Sequence, residues 1–247
     1  FEHLSRRDGV NIVVVEKRGL RPFSPAPRDR EEAGVWERAA FEQGLYLKQT
    51  RVDDGVAVAR ALLADSRFRD LHLVGHSEGA DIITAVARQL GREHVRSLAL
   101  MAGAGPTRFF EATQQARAQS GSAGAKVVFD KEIRITATSQ SPRLEDLHEA
   151  SYAISSTPLD DVRGLHIPLF VASGDRDQKV PVAASDVFVA ELLRDPAQPL
   201  HYLLLPGLDH SFLDPQGRDH SGRLWASYLE WVKAGPLPAR SVKLGLP

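Results

Sequence analysis

Ser77 stands in Gly75-His76-Ser77-Glu78-Gly79, between a short apolar run, Leu71 to Val74, and a helical pattern that begins at Ala80. A serine held on a sharp strand-to-helix turn projects its hydroxyl above the sheet edge, where the positive end of the following helix faces it. The tightness of the turn predicts that side chains at Gly75 and Gly79 would collide with neighbouring backbone. A serine hydroxyl attacks a carbonyl only with a general base beside it, and the base needs a carboxylate to orient it. Downstream, Pro168 to Ser173 reads as a buried strand running into Gly174-Asp175-Arg176-Asp177-Gln178-Lys179-Val180-Pro181. The next strand, Leu200 to Leu205, is followed by Pro206-Gly207-Leu208-Asp209-His210-Ser211-Phe212. Nucleophile, acid and base thus fall at strand ends in the order serine, aspartate, histidine.

The elements that must carry these residues are legible by period. Val52, Val56, Ala59, Leu62 and Leu63 share a helical face within 52–68, and Trp36, Ala39, Ala40 and Gln43 do so within 36–46. Val95 to Met101 is a strand ending at Ala102-Gly103-Ala104-Gly105-Pro106. Helical patterns return at 183–193 and 224–232. At the amino end, 1–8 reads as the end of a helix, Val10 to Val15 as a β-branched strand closing at Glu16-Lys17-Arg18-Gly19, and 22–27 as a proline-studded loop. At the other end, 236–247 reads as a loose tail.

Taken together, the Gly-x-Ser-x-Gly elbow, the Gly-x-x-Asp-x-x-Val-Pro turn and the Pro-Gly-x-x-His-Ser-Phe loop resemble those of the α/β-hydrolase superfamily, near its esterase, dienelactone-hydrolase-like and serine-peptidase branches. The likeness spans nearly the whole chain. It implies a mostly parallel sheet with helices on both faces and a cap insertion. It also assigns Ser77 as nucleophile, Asp177 rather than the nearer Asp175 as acid, and His210 as base. His201, at a strand start, and His220, at a helix start, are the rival bases; His72 and His76 read as packing or hydrogen-bonding residues. Glu78 reads as a carboxylate at a pocket rim whose backbone N–H is one oxyanion donor. The corresponding layout is a core over 1–103, a cap over 104–166, a core over 167–235 and a tail over 236–247.

The cap follows from length: about sixty residues separate the strand at Val95 from that at Pro168, far more than a βα connection needs. Phe109 and Phe110 open a helix through Gln119, Gly121 to Gly124 break it, and 144–154 form another. Its apolar side chains either line an acyl pocket or seal the insertion onto the core.

The second oxyanion donor normally comes from a glycine-rich loop after a strand that is not recognisable here. Val10 to Val15, with Glu-Lys-Arg-Gly after it, resembles the strand outside that one, so a strand is expected to fill the slot between Val10–Val15 and Leu71–Gly75 from a segment upstream of Phe1 or from a separate amino-terminal piece. The competing reading makes Val10 to Val15 the oxyanion strand and Arg18-Gly19 its loop. The chain opens with Phe1, its one methionine is Met101, and a leader or larger amino-terminal piece is therefore expected to precede it.

Composition bounds the rest. With 31 basic and 32 acidic residues over 247, nothing points to nucleic acid as a partner. The lack of cysteine removes disulfides, thiolate metal sites and a cysteine nucleophile, and leaves the compartment, cytoplasmic or exported, open. No run has the length of a membrane span. No metal-site spacing or phosphate cradle is present, so neither metal nor cofactor is expected. The expected activity is ester hydrolysis through an acyl-enzyme on a small acyl substrate. Thioester or peptide cleavage, or a catalytically silent binding protein on the same scaffold, are the alternatives. Oligomeric state is undetermined.

Overall fold

A computed structural model of the chain describes residues 10–15, 47–137, 150–152, 155–234 and 240–246. Five parallel strands, β1 (Leu71–His76), β2 (Val95–Met101), β3 (Leu169–Gly174), β4 (Leu200–Leu205) and β5 (Arg240–Leu244), lie side by side in chain order. Between them run α1 (Lys48–Ala64), α2 (Glu78–Leu90), α3 (Arg108–Ala137), α4 (Pro158–Val162), α5 (Val182–Leu192) and α6 (Ser221–Lys233).

The strands are apolar on both faces because both faces are covered. Leu98, Leu100, Leu169 and Val171 pack with Val52 and Val56 of α1, Val86 of α2 and Phe188 of α5. The alternate residues Ala99, Met101, Phe170 and Ala172 pack with Leu224 and Tyr228 of α6. This period of two sends neighbouring strand residues to opposite layers. Val52, Val56 and Ala59 are indeed the buried apolar residues of α1.

Three expectations need correction. Val10 to Val15 forms no strand: Val13, Val14 and Val15 are about half exposed, and only Val10 packs against the α6 layer. A β-branched run favours extended backbone, but a strand exists only where a neighbour completes its ladder. Among the described residues β1 pairs with β2 on one side and with no strand on the other, so Val10 to Val15 does not pair with Leu71 to Gly75. Second, the stretch read as a tail contains β5, which pairs with β4 from Leu200–Arg240 to Leu204–Leu244; the exposed edge of β4 supplies the donors and acceptors that a solvated tail would otherwise find in water. Third, the helix that opens the insertion does not end at the glycines. Its break is confined to Ser120 and Gly121 (φ 60°, ψ −147°), after which helix continues to Ala137. The expected helices at 1–8 and 36–46, the Arg18-Gly19 loop and most of 144–154 lie outside the described residues.

His201 illustrates how the sheet interior treats a titratable group. Its Nδ1 meets Ser241 Oγ of β5 at 2.6 Å, its ring stacks on Phe170, and burial with help from Lys243 pushes the imidazole from 6.5 down to about 4. The unfolded chain thus takes up a proton near 6.5 that the folded chain refuses until about 4. The contribution of His201 to stability is complete above the higher value and drains as the pH falls toward the lower one. Urea unfolding at pH 7 and pH 4.5 should show a larger acid loss for the wild-type chain than for His201→Asn; equal losses would refute the assignment.

Candidate active site

Ser77 occupies the one residue between β1 and α2, with φ 55° and ψ −127°, a conformation that side chains seldom adopt outside sites that store strain. The surroundings hold it there. The Ser77 N–H donates to Met101 O at 2.9 Å, extending the β1–β2 ladder by one rung, and the Ser77 carbonyl accepts from Ala80 N–H at 2.9 Å. A Cβ at Gly75 would lie 2.3 Å from Gly79 O, and one at Gly103 would lie 2.6 Å from Ser77 O. Gly103, missed in the sequence, brings the end of β2 against the elbow from the other side; its signal was the Ala102-Gly103-Ala104-Gly105 run.

The expected collision at Gly79 does not occur, because a Cβ there meets nothing within 4 Å. Gly79 is in the first turn of α2 and points away from the crossing. Gly75→Ala should therefore cost about 3 kcal/mol or more, whereas Gly79→Ala should be neutral or stabilise by up to about 1 kcal/mol through helix propensity. Chemical denaturation of the two variants checks the contrast.

The loops that bear Asp177 and His210 are built against each other. A Cβ at Gly174 would lie 2.3 Å from Leu208 O, so the two loops touch at backbone distance. Asp175 faces this turn and accepts from Gly207 N–H at 2.7 Å. Asp177 turns back: its Oδ1 accepts from Lys179 N–H and Val180 N–H, each at 2.8 Å, and its Oδ2 meets His210 Nδ1 at 2.8 Å. A carboxylate can only accept here, so Nδ1 carries the proton and Nε2 is left as the basic nitrogen. Asp209 shapes the histidine loop by accepting from Ser211 N–H at 2.8 Å and Leu213 N–H at 2.9 Å.

His76, next to the serine, ties the elbow to that loop, its Nε2–H donating to His210 O at 2.8 Å. The other histidines are occupied elsewhere: His72 with Ser97 at 2.8 Å, His201 with Ser241, and His220 with Asp214 at 3.1 Å. The structure thus brings His210 and Asp177 together and links His210 to the residue beside Ser77. Between Ser77 Oγ and His210 there is no hydrogen bond.

Glu78 opens α2, where a backbone N–H has no partner within the helix. Its side chain meets Arg51 at 2.5 Å and accepts from Tyr152 Oη–H at 2.6 Å, with Arg108 at 3.6 Å. Burial alone would raise this carboxyl, but Arg51, Tyr152 and Arg108 outweigh it and hold Glu78 at about 2. Beside Ser77 opens a cavity of about 210 Å³ whose walls include Glu78, Asp81, Arg108, Glu111 and Lys179. These charged groups escaped the sequence reading; Asp81, four residues after Ser77 on the elbow helix, was the one with a positional signal. Of the insertion's aromatic residues, Phe109 packs edge-on against Phe129 at 5.0 Å, both on α3.

The sequence profile of a family described as alpha/beta hydrolase fold matches residues 48–214, a span that carries Ser77, Asp177, His210 and the charged walls of the cavity. The chain belongs to this family. Solved structures agree on the fold of this α/β hydrolase. The esterase Est1E from Butyrivibrio proteoclasticus superposes with a TM-score of 0.52 at 16% identity, over 78% of this chain and 72% of the esterase. A puromycin-hydrolyzing peptidase from Mycobacterium tuberculosis superposes with a TM-score of 0.55 at 20% identity, over 86% of this chain. This α/β hydrolase corresponds to 29% of that peptidase's length. No curated protein sequence matches it. Among the described residues no helix is long and apolar enough to cross a membrane.

Proposed function

We propose that this chain is a serine hydrolase that cleaves a carboxylic ester through an acyl-enzyme intermediate. The observation that supports this most is the seating of His210 on Asp177 at 2.8 Å, on a loop tied by His76 to the strained residue Ser77. In the reaction, substrate brings the Ser77 hydroxyl within about 3 Å of His210 Nε2. His210 takes the proton, the alkoxide attacks the carbonyl, and the Glu78 N–H donates to the developing oxyanion. Asp177 keeps the imidazolium oriented and returns it to the same tautomer. The leaving group takes the proton from His210, water enters, and the same base activates it to release the acid.

A serine at the elbow excludes the route in which a carboxylate there attacks the substrate. Thioesters and peptide amides share the chemistry, and the similarity in fold to both an esterase and a peptidase keeps amides as the second reading. A fluorophosphonate probe tests the proposal directly. Covalent label recovered on the peptide containing Ser77 is the expected result. A folded chain that takes no label would favour a silent scaffold, in which the elbow is only a turn.

A further inference from the structure

The walls of the cavity beside Ser77 carry carboxylates that differ sharply in how they are satisfied. Glu78 is saturated by Arg51 and Tyr152. Burial and the neighbouring Asp81 push the Glu111 carboxyl up, toward its neutral form. Asp81 has no partner of the kind that holds Glu78. Its side chain is 6% exposed, it faces the cavity, and its carboxylate oxygens accept no hydrogen bond among the described residues. The nearest cation, Arg108, stands 3.7 Å from Asp81 and 3.6 Å from Glu78, beyond hydrogen-bond reach of both, with its guanidinium laid over the Tyr152 ring at 4.4 Å. It lowers the field without filling the lone pairs. A buried carboxylate left in this state costs free energy that a donor from outside would recover.

We infer that Asp81 anchors an ammonium group of the substrate, so that the acyl group transferred to Ser77 is a short aminoacyl group. The inference rests on the serine hydrolase reading and narrows its substrate class. Asp81 lies in the first turn of α2, directly after the Ser77 elbow, and both residues line the same cavity. An ammonium with an N–H donor about 2.8 Å from the Asp81 carboxylate and a carbonyl about 3 Å from Ser77 Oγ would share this cavity of about 210 Å³, which suits a short acyl group. Burial raises the Asp81 carboxyl against the pull of Arg108 and Lys48; an ammonium in hydrogen-bond contact supplies the compensation those two do not.

The test compares p-nitrophenyl esters of four acids of similar size: alanine, propanoic acid, 2-hydroxypropanoic acid and N-acetylalanine. For the wild-type chain at pH 7, kcat/KM for the alanyl ester should exceed that for each of the others by at least about tenfold, since a site built around one polar contact rejects analogues that lack it. Asp81→Asn, which keeps the shape and removes the charge, should bring the alanyl-to-propanoyl ratio close to one. If the propanoyl or hydroxypropanoyl ester is cleaved as fast as the alanyl ester while Ser77 takes the fluorophosphonate label, the ammonium site is overturned and the hydrolase stands. If Ser77 takes no label and none of the four esters is cleaved, the hydrolase reading falls and this inference with it. The wild-type ratios decide the question even if Asp81→Asn fails to fold.

Discussion

Replacing Ser77 with alanine should lower kcat by about 10⁴-fold or more while moving the thermal unfolding midpoint very little. The two effects separate because the hydroxyl does no structural work. Ser77 Oγ makes no hydrogen bond, the residue is only partly buried, and the backbone conformation at φ 55° is as strained for serine as for alanine. What fixes the elbow is the Ser77 N–H to Met101, the Ser77 carbonyl to Ala80, and the absence of side chains at Gly75 and Gly103. Without the nucleophile, residual turnover falls to what oxyanion donors and binding alone supply. Appreciable hydrolysis by the purified variant, measured against a preparation free of host esterases, would remove Ser77 from the mechanism.

Asp177→Asn should cost about 10⁴-fold in kcat, and the reason lies in the direction of three hydrogen bonds. Lys179 N–H and Val180 N–H both donate to Oδ1 of Asp177. An asparagine must keep its carbonyl oxygen there, which turns its amide NH₂ toward His210. His210 Nδ1 would then have to accept, leaving the proton on Nε2, where the base is needed. The fold should survive, because the loop's two backbone contacts remain. Asp175→Asn is the control: it alters only the contact with Gly207 N–H, so its kcat should stay within about threefold of wild type, as expected for a surface turn removed from the proton path. The reverse ranking of the two variants, in steady-state rates on a p-nitrophenyl ester, would transfer the acid's role to Asp175.

The elements that carry the candidate site were legible because the local signals there are strong and agree. β2 and β4 run over the residues that the apolar runs predicted, and α1, α5 and α6 fall within a few residues of their periodic patterns. A strand buried on both faces must be apolar throughout, and a helix on a sheet must repeat every three or four residues; both rules hold wherever the covering layer is complete. Where cover or pairing comes from distant chain, the same signals mislead. Val10 to Val15 has the composition of a strand and no ladder, while Arg240 to Leu244, with arginine and lysine in it, is a strand because β4 had an open edge to offer.

The sequence by itself determined the order and types of the three residues proposed to react and the loops that bear them, since each type is demanded by the proposed chemistry and each loop by a strand end. It also separated Asp177 from Asp175 by resemblance to a family turn. Only the tertiary structure decided which glycine at the elbow is sterically required, that His76 braces the histidine loop, and that the space beside Ser77 is walled mostly by charged side chains, Asp81, Arg108 and Glu111 among them. These are properties of close approach between segments far apart in the chain. A Cβ collision, a shared hydrogen bond or an unsatisfied carboxylate exists only between partners, and sequence spacing does not measure the distance between them.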